Sequence, residues 1–260
     1  MKIATYNVNS VNARLPRVLE WFDAAAPDIV VLQEIKCIDE KFPALEFEDR
    51  GYNVVVHGQK AYNGVALLSK FPIEDVVRGL PGDETDEQAR YIEALVTPDD
   101  TAPVRICGLY LPNGNPAPGP KYDYKLEWMA RLHKRAAHHL AHEEAFLMAG
   151  DFNVIPQEED CFDPALWTED ALFRQETRNA FRRLMSLGLT DALRQITPES
   201  ILYTFWDYQR GAWEKDHGIR IDHHLLSPQA ADRLKAAGVD RKTRGREKAS
   251  DHVPVWIELE

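Results

Sequence analysis

KASDHVPVWIELE, residues 248–260, brings the chain to its end on a strand pattern. Val253, Val255, Ile257 and Leu259 recur at every second position, the period of a half-buried β-strand. The entrance to that strand is Ser250-Asp251-His252, a carboxylate beside an imidazole. Serine and aspartate are common turn formers, so turn chemistry is one account of the entrance. An active site completed by the last strand is the other, and the remaining sequence has to choose.

Similar strand runs recur upstream: KIATYNV (2–8), DIVVLQE (28–34), YNVVVHG (52–58), NGVALLS (63–69), RYIEALV (90–96), VRICGLYLP (104–112), AFLMAGDFN (145–153) and IRIDHHLLS (219–227). Three helical stretches interrupt them. The first spans about 14–26, with Leu15, Val18, Leu19 and Phe22 on one face. The second runs from Tyr122 to about His142, with Leu126, Met129, Leu132, Ala136 and Leu140 at helical spacing. The third is expected from Thr177 as N-cap, through Phe181, Leu184 and Met185, to Gly188 as the glycine after its end. Many strands, several adjacent in sequence, do not fit simple βαβ alternation; they fit two packed sheets flanked by helices. The Pro/Gly-rich LPNGNPAPGPKYDY (111–124) lies between a strand and a helix and reads as a loop, so one domain over 1–260 is expected.

The 260 residues are 44% hydrophobic and 28% charged, ordinary for a soluble globular protein, and no apolar run approaches a membrane span. No signal-like apolar segment follows the first residues, and Cys37, Cys107 and Cys161 form no CxxC pair, so a reducing cytoplasm is expected. The net charge of −11 argues against indiscriminate polyanion binding. A basic face, or a site that neutralises acids with a divalent cation, remains compatible with it.

Polar residues gather where strands end: Asn7 and Asn9, Glu34, Asp151 and Asn153, Asp222, and Asp251-His252. Any one of them has an ordinary reading in turn chemistry; five strand ends carrying carboxylate, amide or imidazole groups do not. Oxygen ligands without cysteine favour Mg²⁺, or Mn²⁺, over zinc. Phosphodiester hydrolysis needs such a metal, a positioned water and donors for developing charge. In that chemistry Glu34 and Asp251 can hold the metal and Asp151 can orient and deprotonate water. Asn153 can donate to phosphate or fix Asp151, and His252, aligned by Asp222, can bind phosphate.

ATYNVNSVNAR (4–14), DIVVLQEIK (28–36), YLPNG (110–114), MAGDFNV (148–154), GIRIDHHLLS (218–227) and SDHVPVW (250–256) together resemble the exonuclease III family of apurinic/apyrimidinic endonucleases, within the endonuclease/exonuclease/phosphatase superfamily. The resemblance spans almost the whole chain in order. Tyr110 in YLPNG, where pancreatic-type deoxyribonucleases carry histidine, narrows it to that branch. It implies an α/β four-layer sandwich of two packed mixed β-sheets flanked by helices, of DNase I-like type. It also implies a Mg²⁺-dependent DNA repair nuclease that cuts 5′ to abasic sites, digests duplex DNA 3′→5′ and removes blocked 3′ ends. By the same resemblance Tyr110, Asp151, Asn153, Asp222 and His252 are catalytic, and Asn7, Glu34, Asp151, Asn153 and Asp251 serve the metal. Arg90, Asn113, Lys121 and Lys125 would touch DNA, and Trp206 and Ile221 would line a pocket for the abasic sugar. The partner is then double-stranded DNA, with no membrane and a monomeric chain. A phosphatase or phospholipase of the superfamily, or a catalytically silent RNA-binding regulator, are the rivals. The tyrosine of YLPNG counts against the first and the complete set of carboxylates against the second.

Some tempting features carry less. HKRAAHHLAHEE (133–144) places His138 and His142 one helical turn apart but lacks HExxH, and reads as a solvated helix face. The basic run in DRKTRGREKASDH (240–252) reads as a loop whose place beside the proposed phosphate site lets it steer DNA. His223 and His224 read as local variation, with His224 on the face of Asp222. Cys107 reads as core.

Overall fold

The computed structural model describes residues 1–99, 101–198 and 201–260. In chain order its elements are β1 (Lys2–Asn7), α1 (Val11–Ala25), β2 (Ile29–Gln33), α2 (Ala44–Glu48), β3 (Asn53–His57), β4 (Val65–Ser69), β5 (Ile73–Arg78), β6 (Tyr91–Val96) and β7 (Val104–Tyr110). There follow α3 (Pro120–Ala141), β8 (Phe146–Asp151), α4 (Gln175–Met185), β9 (Thr190–Asp191), α5 (Ala192–Ile196), β10 (Asp222–Leu226), α6 (Pro228–Ala231), β11 (Leu234–Val239) and β12 (Val255–Leu259).

Among the described residues the strands form two sheets, ordered β11-β12-β1-β2-β4-β3 and β5-β6-β7-β8-β10-β9. Both are mixed: β1 runs parallel to β2 and antiparallel to β12, while β8 runs parallel to β7 and antiparallel to β10. Alternation along the strands separates three apolar layers. Ile3, Val31, Leu67 and Ile257 of the first sheet meet Ile92, Ile106, Leu147 and Leu226 of the second between the sheets. The outer face of the first sheet sets Ala4, Val30 and Leu68 against Val18, Trp21 and Phe22 of α1 and Phe47 of α2. The outer face of the second sets Phe146, Met148 and Leu225 against Trp128 and Leu132 of α3 and Phe181 of α4. Helix, sheet, sheet, helix is the four-layer order expected.

Two local expectations need correction. The third helix begins two residues ahead of Thr177, whose hydroxyl is buried inside it and donates to the Ala171 carbonyl at 2.7 Å instead of capping. Strands β5 and β11 have no clear pattern in sequence: both contain a register shift, and β5 is exposed at Glu74, Asp75 and Arg78. Among the described residues no helix is long and apolar enough to cross a membrane.

One buried ionic cluster fastens α3, which begins at the loop over the site, to the second sheet. Glu93 on β6 is fully buried and accepts from Arg135 at 2.6 and 2.9 Å, Arg105 at 3.1 Å and the Tyr91 hydroxyl at 2.6 Å. Burial opposes its ionisation, but these donors and His139 outweigh it and hold its pKa far below the usual carboxylate range. A depressed folded-state pKa contributes stability above the ordinary carboxylate range and loses it as the pH falls. Glu93→Gln should therefore cost about 3–5 kcal/mol at pH 7 by leaving buried guanidinium charge uncompensated. The loss should shrink on acidification, as denaturant melts at pH 7 and pH 4 would show; a penalty equal at both values would contradict this account.

Candidate active site

The two-residue period fixes where the polar groups go. On β1, Ile3 and Thr5 point between the sheets, and so does Asn7 at the strand's end; on β8, Leu147 and Ala149 lead to Asp151; on β10, Leu226 and His224 lead back to Asp222. All three therefore emerge at one open end of the inter-sheet layer. Backbone pairing sharpens this: Asp222 lies opposite Asp151, and Tyr110 on β7 is also in register with Asp151. Gly150 makes the approach possible, since a Cβ there would sit 1.9 Å from the Leu109 carbonyl oxygen. Beyond the strand ends the chain turns sharply, and Asn9, Glu34 and Asn153 take left-handed conformations at φ 44°, 51° and 46°. Asparagine tolerates that region; a glutamate held there is strained, as residues at functional sites often are.

His252 joins the two facing carboxylates. Its Nδ1 is 2.9 Å from Asp222 Oδ2 and its Nε2 3.6 Å from Asp151 Oδ2, with all three residues at most 4% exposed. Burial disfavours the imidazolium, but Asp222 and then Asp151 overcome it and raise the His252 pKa to about 10. Burial pushes the Asp151 pKa up; the His252 charge opposes that rise, while Asp222 and Glu34 add to it. Asp151 Oδ1 accepts the Asn153 backbone N–H at 2.9 Å, leaving Oδ2 to the Asn7 amide at 3.0 Å and the imidazole. Thr204 Oγ1 accepts the Asp222 N–H at 3.2 Å, and Ser250 Oγ accepts the His252 N–H at 3.2 Å while donating to the Asn7 carbonyl at 2.7 Å.

On the other side Glu34 Oε1 accepts from Asn7 Nδ2 at 2.9 Å, and Oε2 lies 2.7 Å from Lys36 Nζ. Burial works against the Glu34 charge, yet Lys36 and Asn7 prevail and lower its pKa. Lys36 also reaches Asn9 Oδ1 at 2.6 Å, and Asn9 Nδ2 reaches Asp251 Oδ1 at 3.1 Å, so Asp251 is tied to the Glu34 side. Glu34, Asp151 and His252 each offer a ligand atom within 4.8 Å of the others. Oxygen donors dominate, cysteine is absent from the set, and Asp222 Oδ1 is buried without a partner among the described residues. An excess of carboxylate oxygen of this kind suits a hard divalent cation.

A cleft of roughly 280 Å³ opens over these groups, lined by Glu34, Tyr110, Asp151, Asn153, Asp251 and His252 on its chemical side. Burial, with Glu34 and Asp151 nearby, keeps the Tyr110 phenol protonated, and the Arg90 guanidinium lies 4.7 Å over its ring. Asn113 is exposed at the rim and donates to Asn153 Oδ1 at 3.2 Å. Arg90, bonded to the Tyr110 carbonyl at 3.2 Å, and Lys121, exposed in the first turn of α3, do not line the cleft.

Two expected DNA contacts are corrected. Lys125 is fully buried, and its ammonium donates to the Asn153 and Asn113 carbonyls at 2.6 and 3.0 Å. It is a strut between two site loops, with a pKa lowered by burial to about 7, and cannot reach a duplex. Trp206 is also fully buried, its indole donating to Asp216 at 2.9 Å and its ring edge-on to Trp213. Its neighbour Phe205 faces the cleft instead, packed 4.9 Å from the His252 ring, with Ile219 and Ile221 beside it. Residues 204–206 pair with 251–253 through Trp206 N–H to the Asp251 carbonyl and Val253 N–H to the Thr204 carbonyl, so successive side chains point to opposite sides. Trp167, Asp170 and Asn115 also line the cleft, with no periodic signal in the sequence to mark them.

Residues 4–252 match the endonuclease/exonuclease/phosphatase family. The sequence is 33% identical to exodeoxyribonuclease III of Haemophilus influenzae, over 100% of both chains. An AP endonuclease from Archaeoglobus fulgidus superposes with a TM-score of 0.94 at 36% identity, covering 100% of this chain and 99% of that one. A 3′ phosphatase from Neisseria, NExo, bound to a product DNA hairpin, does so with a TM-score of 0.95 at 42% identity, covering 100% and 99%.

The charge balance at His252 is open to direct measurement. Asp222→Asn should lower the His252 pKa from about 10 by roughly one to three pH units, because the closest opposite charge is gone. A histidine NMR titration that leaves it unmoved would show that Asp222 does not hold the imidazolium.

Proposed function

Because the chain belongs to the endonuclease/exonuclease/phosphatase family, matched over residues 4–252, we propose that it is a Mg²⁺-dependent DNA repair nuclease. Its substrates in this reading are phosphodiesters 5′ to abasic sites and at 3′ ends of duplex DNA. The observation that carries the reading is the buried Asp151–His252–Asp222 bridge, with Glu34 and Asn7 against it in one cleft. The three relatives named are, by their names, an exodeoxyribonuclease, an AP endonuclease and a 3′ phosphatase bound to a product DNA hairpin, all consistent with phosphoester hydrolysis on DNA.

The side chains divide the work. Asp151, held by the Asn153 N–H and lining the cleft, orients an attacking water and takes its proton. His252, kept cationic by Asp222, binds a non-bridging phosphoryl oxygen as charge develops. Asn153, fixed by its bonds to the Leu111 carbonyl and Asn113, keeps Asp151 aimed through its own N–H. Tyr110 stays a phenol and donates to the same charged oxygens. Glu34, with Asn7 and Asp251 beside it, would hold the Mg²⁺, which supplies charge stabilisation to the phosphoryl group and the departing oxygen. Phe205, Ile219 and Ile221 shape the apolar end of the cleft for the deoxyribose.

End-labelled 30-base-pair duplexes, one with a single abasic-site analogue and one intact, test this directly. A single cut 5′ to the lesion is expected in Mg²⁺ and none in EDTA, with 3′ shortening on the intact duplex. Asp151→Asn should lower kcat by about 10²–10⁴-fold while the protein stays folded. Full cleavage in EDTA, or none by folded protein in either Mg²⁺ or Mn²⁺, would send the reading to a different phosphoester or a silent binder.

A further inference from the structure

Beside the catalytic cleft lies a second hollow of roughly 440 Å³. Trp167, Asp170, Phe205, Asp207 and Ile219 line both, so the two are one continuous depression. Its outer part has a different chemistry from the catalytic part. Phe162 and His217 stack on each other at 4.2 Å and 2° between planes, tying two loops together, and both line this outer part. Leu166 stands 67% exposed at the edge, and Ile219, 1% exposed, is common to both parts. The polar groups on the shared wall are acidic. Asp170 already accepts from Asn115 Nδ2 and the Leu172 N–H, and Asp207 Oδ1 accepts the Gln209 N–H at 2.8 Å. The two carboxylates offer acceptors to amino groups, and exposed Arg210 also lines the outer part.

We propose that this hollow is a nucleobase subsite, holding the base of an unpaired nucleotide whose 5′ phosphate lies against His252 and Asp151. The inference rests on the nuclease reading above and adds a substrate class to it. Aromatic side chains such as Trp167, Phe162 and His217 in the lining can stack on any base, because every base presents a π-face. The carboxylate rim adds acceptors that suit the exocyclic amines of cytosine and adenine. An abasic sugar needs only the catalytic part; a frayed or mismatched 3′-terminal nucleotide fills both. The structure thereby equips one phosphate site for two leaving ends, with and without a base.

Two measurements test the subsite. In the first, Asp151→Asn protein in Mg²⁺ is bound to a duplex whose unpaired 3′-terminal base is 2-aminopurine, with binding followed separately by anisotropy. Emission should fall on binding, and the fall should be smaller when Phe162→Ala or His217→Ala is added. In the second, otherwise wild-type protein removes an unpaired 3′ nucleotide that carries a base or, in the control, a tetrahydrofuran. Either substitution should reduce kcat/KM for the base-bearing end at least fivefold more than for the control. His217 is exposed, so its variant serves even where Phe162→Ala disturbs folding. Equal slowing of both ends, or unchanged 2-aminopurine emission at saturating anisotropy, would overturn the subsite and leave the nuclease reading standing. Wild-type protein that cuts neither end would overturn both.

Discussion

The register of β8 and β10 sets Asp151 opposite Asp222, two carboxylates with 1% and 0% exposure, and the site is organised around that conflict. Like charges placed opposite one another in a sheet repel, and burial removes the solvent that would screen them. The compensating charge comes from the other sheet, since His252 enters on the approach to β12. Asn7, at the end of β1, makes a second cross-sheet bond to Asp151. The polar contacts that create the site therefore also clamp the two sheets together at their open end. Apolar packing between Ile3, Ile257 and Leu147 does the same further down. A fold whose inner faces were apolar to their ends would have neither the clamp nor the chemistry.

A second buried cluster shows why perturbed ionisation does not by itself locate function. Glu93, Cys107 and His139 also offer ligand atoms within 4.8 Å of one another, and all three are buried. There, however, the carboxylate is filled by Arg135, Arg105 and the Tyr91 hydroxyl, and burial holds Cys107 as a thiol well above its ordinary pKa. Two guanidinium groups on the one carboxylate leave no charge for a cation. At the site, by contrast, Asp222 Oδ1 lacks a partner among the described residues and Asp151 lines a cleft. Lys125 belongs with the structural charges: its ammonium closes two backbone carbonyls and so fixes the loops that carry Asn113 and Asn153.

Strand ends are legible in the sequence because two signals coincide there, apolar alternation and a switch to Asn, Asp or Glu at one end of it. Asn7, Glu34, Asp151, Asp222 and Asp251-His252 stand out together for that reason. Edge strands are not legible. In β11, LKAAGV, small residues blur the alternation, and β5 has exposed positions on both sides of a bulge. The exchange of Trp206 for Phe205 has a similar cause. Residues 203–208 are nearly all aromatic or polar, so no pattern phases them, and only the backbone pairing with 251–253 decides which ring faces the cleft. Lys125 is misleading because a lone lysine on an amphipathic helix reads as solvated. Its burial depends on carbonyls from two distant loops, which periodicity does not show. Lys36 lies two residues beyond Glu34, and its role follows only from the turn that folds it back.

An acidic chain that works on an acidic polymer needs its positive charge in particular places. Over the whole molecule 42 acidic residues outnumber 31 basic ones, so nonspecific attraction to phosphate is weak and contacts must be local. Inside the cleft the fixed cation is His252, with Lys36 bound to Glu34 at its edge. Carboxylates make up the rest of the charged wall, the residues that would hold a divalent cation and let it neutralise a phosphate. In the proposed reading the hydrolytic groups would not distinguish an internal abasic site from a 3′ end, because either would present a phosphodiester to Asp151 and His252. Discrimination would then fall to the cleft walls: Phe205, Ile219 and Ile221, with Trp167 and Asp170. Those positions sit on short bridges and loops instead of the long strands that fix the carboxylates. The fold thus lets substrate range change while the register that makes the chemistry stays fixed.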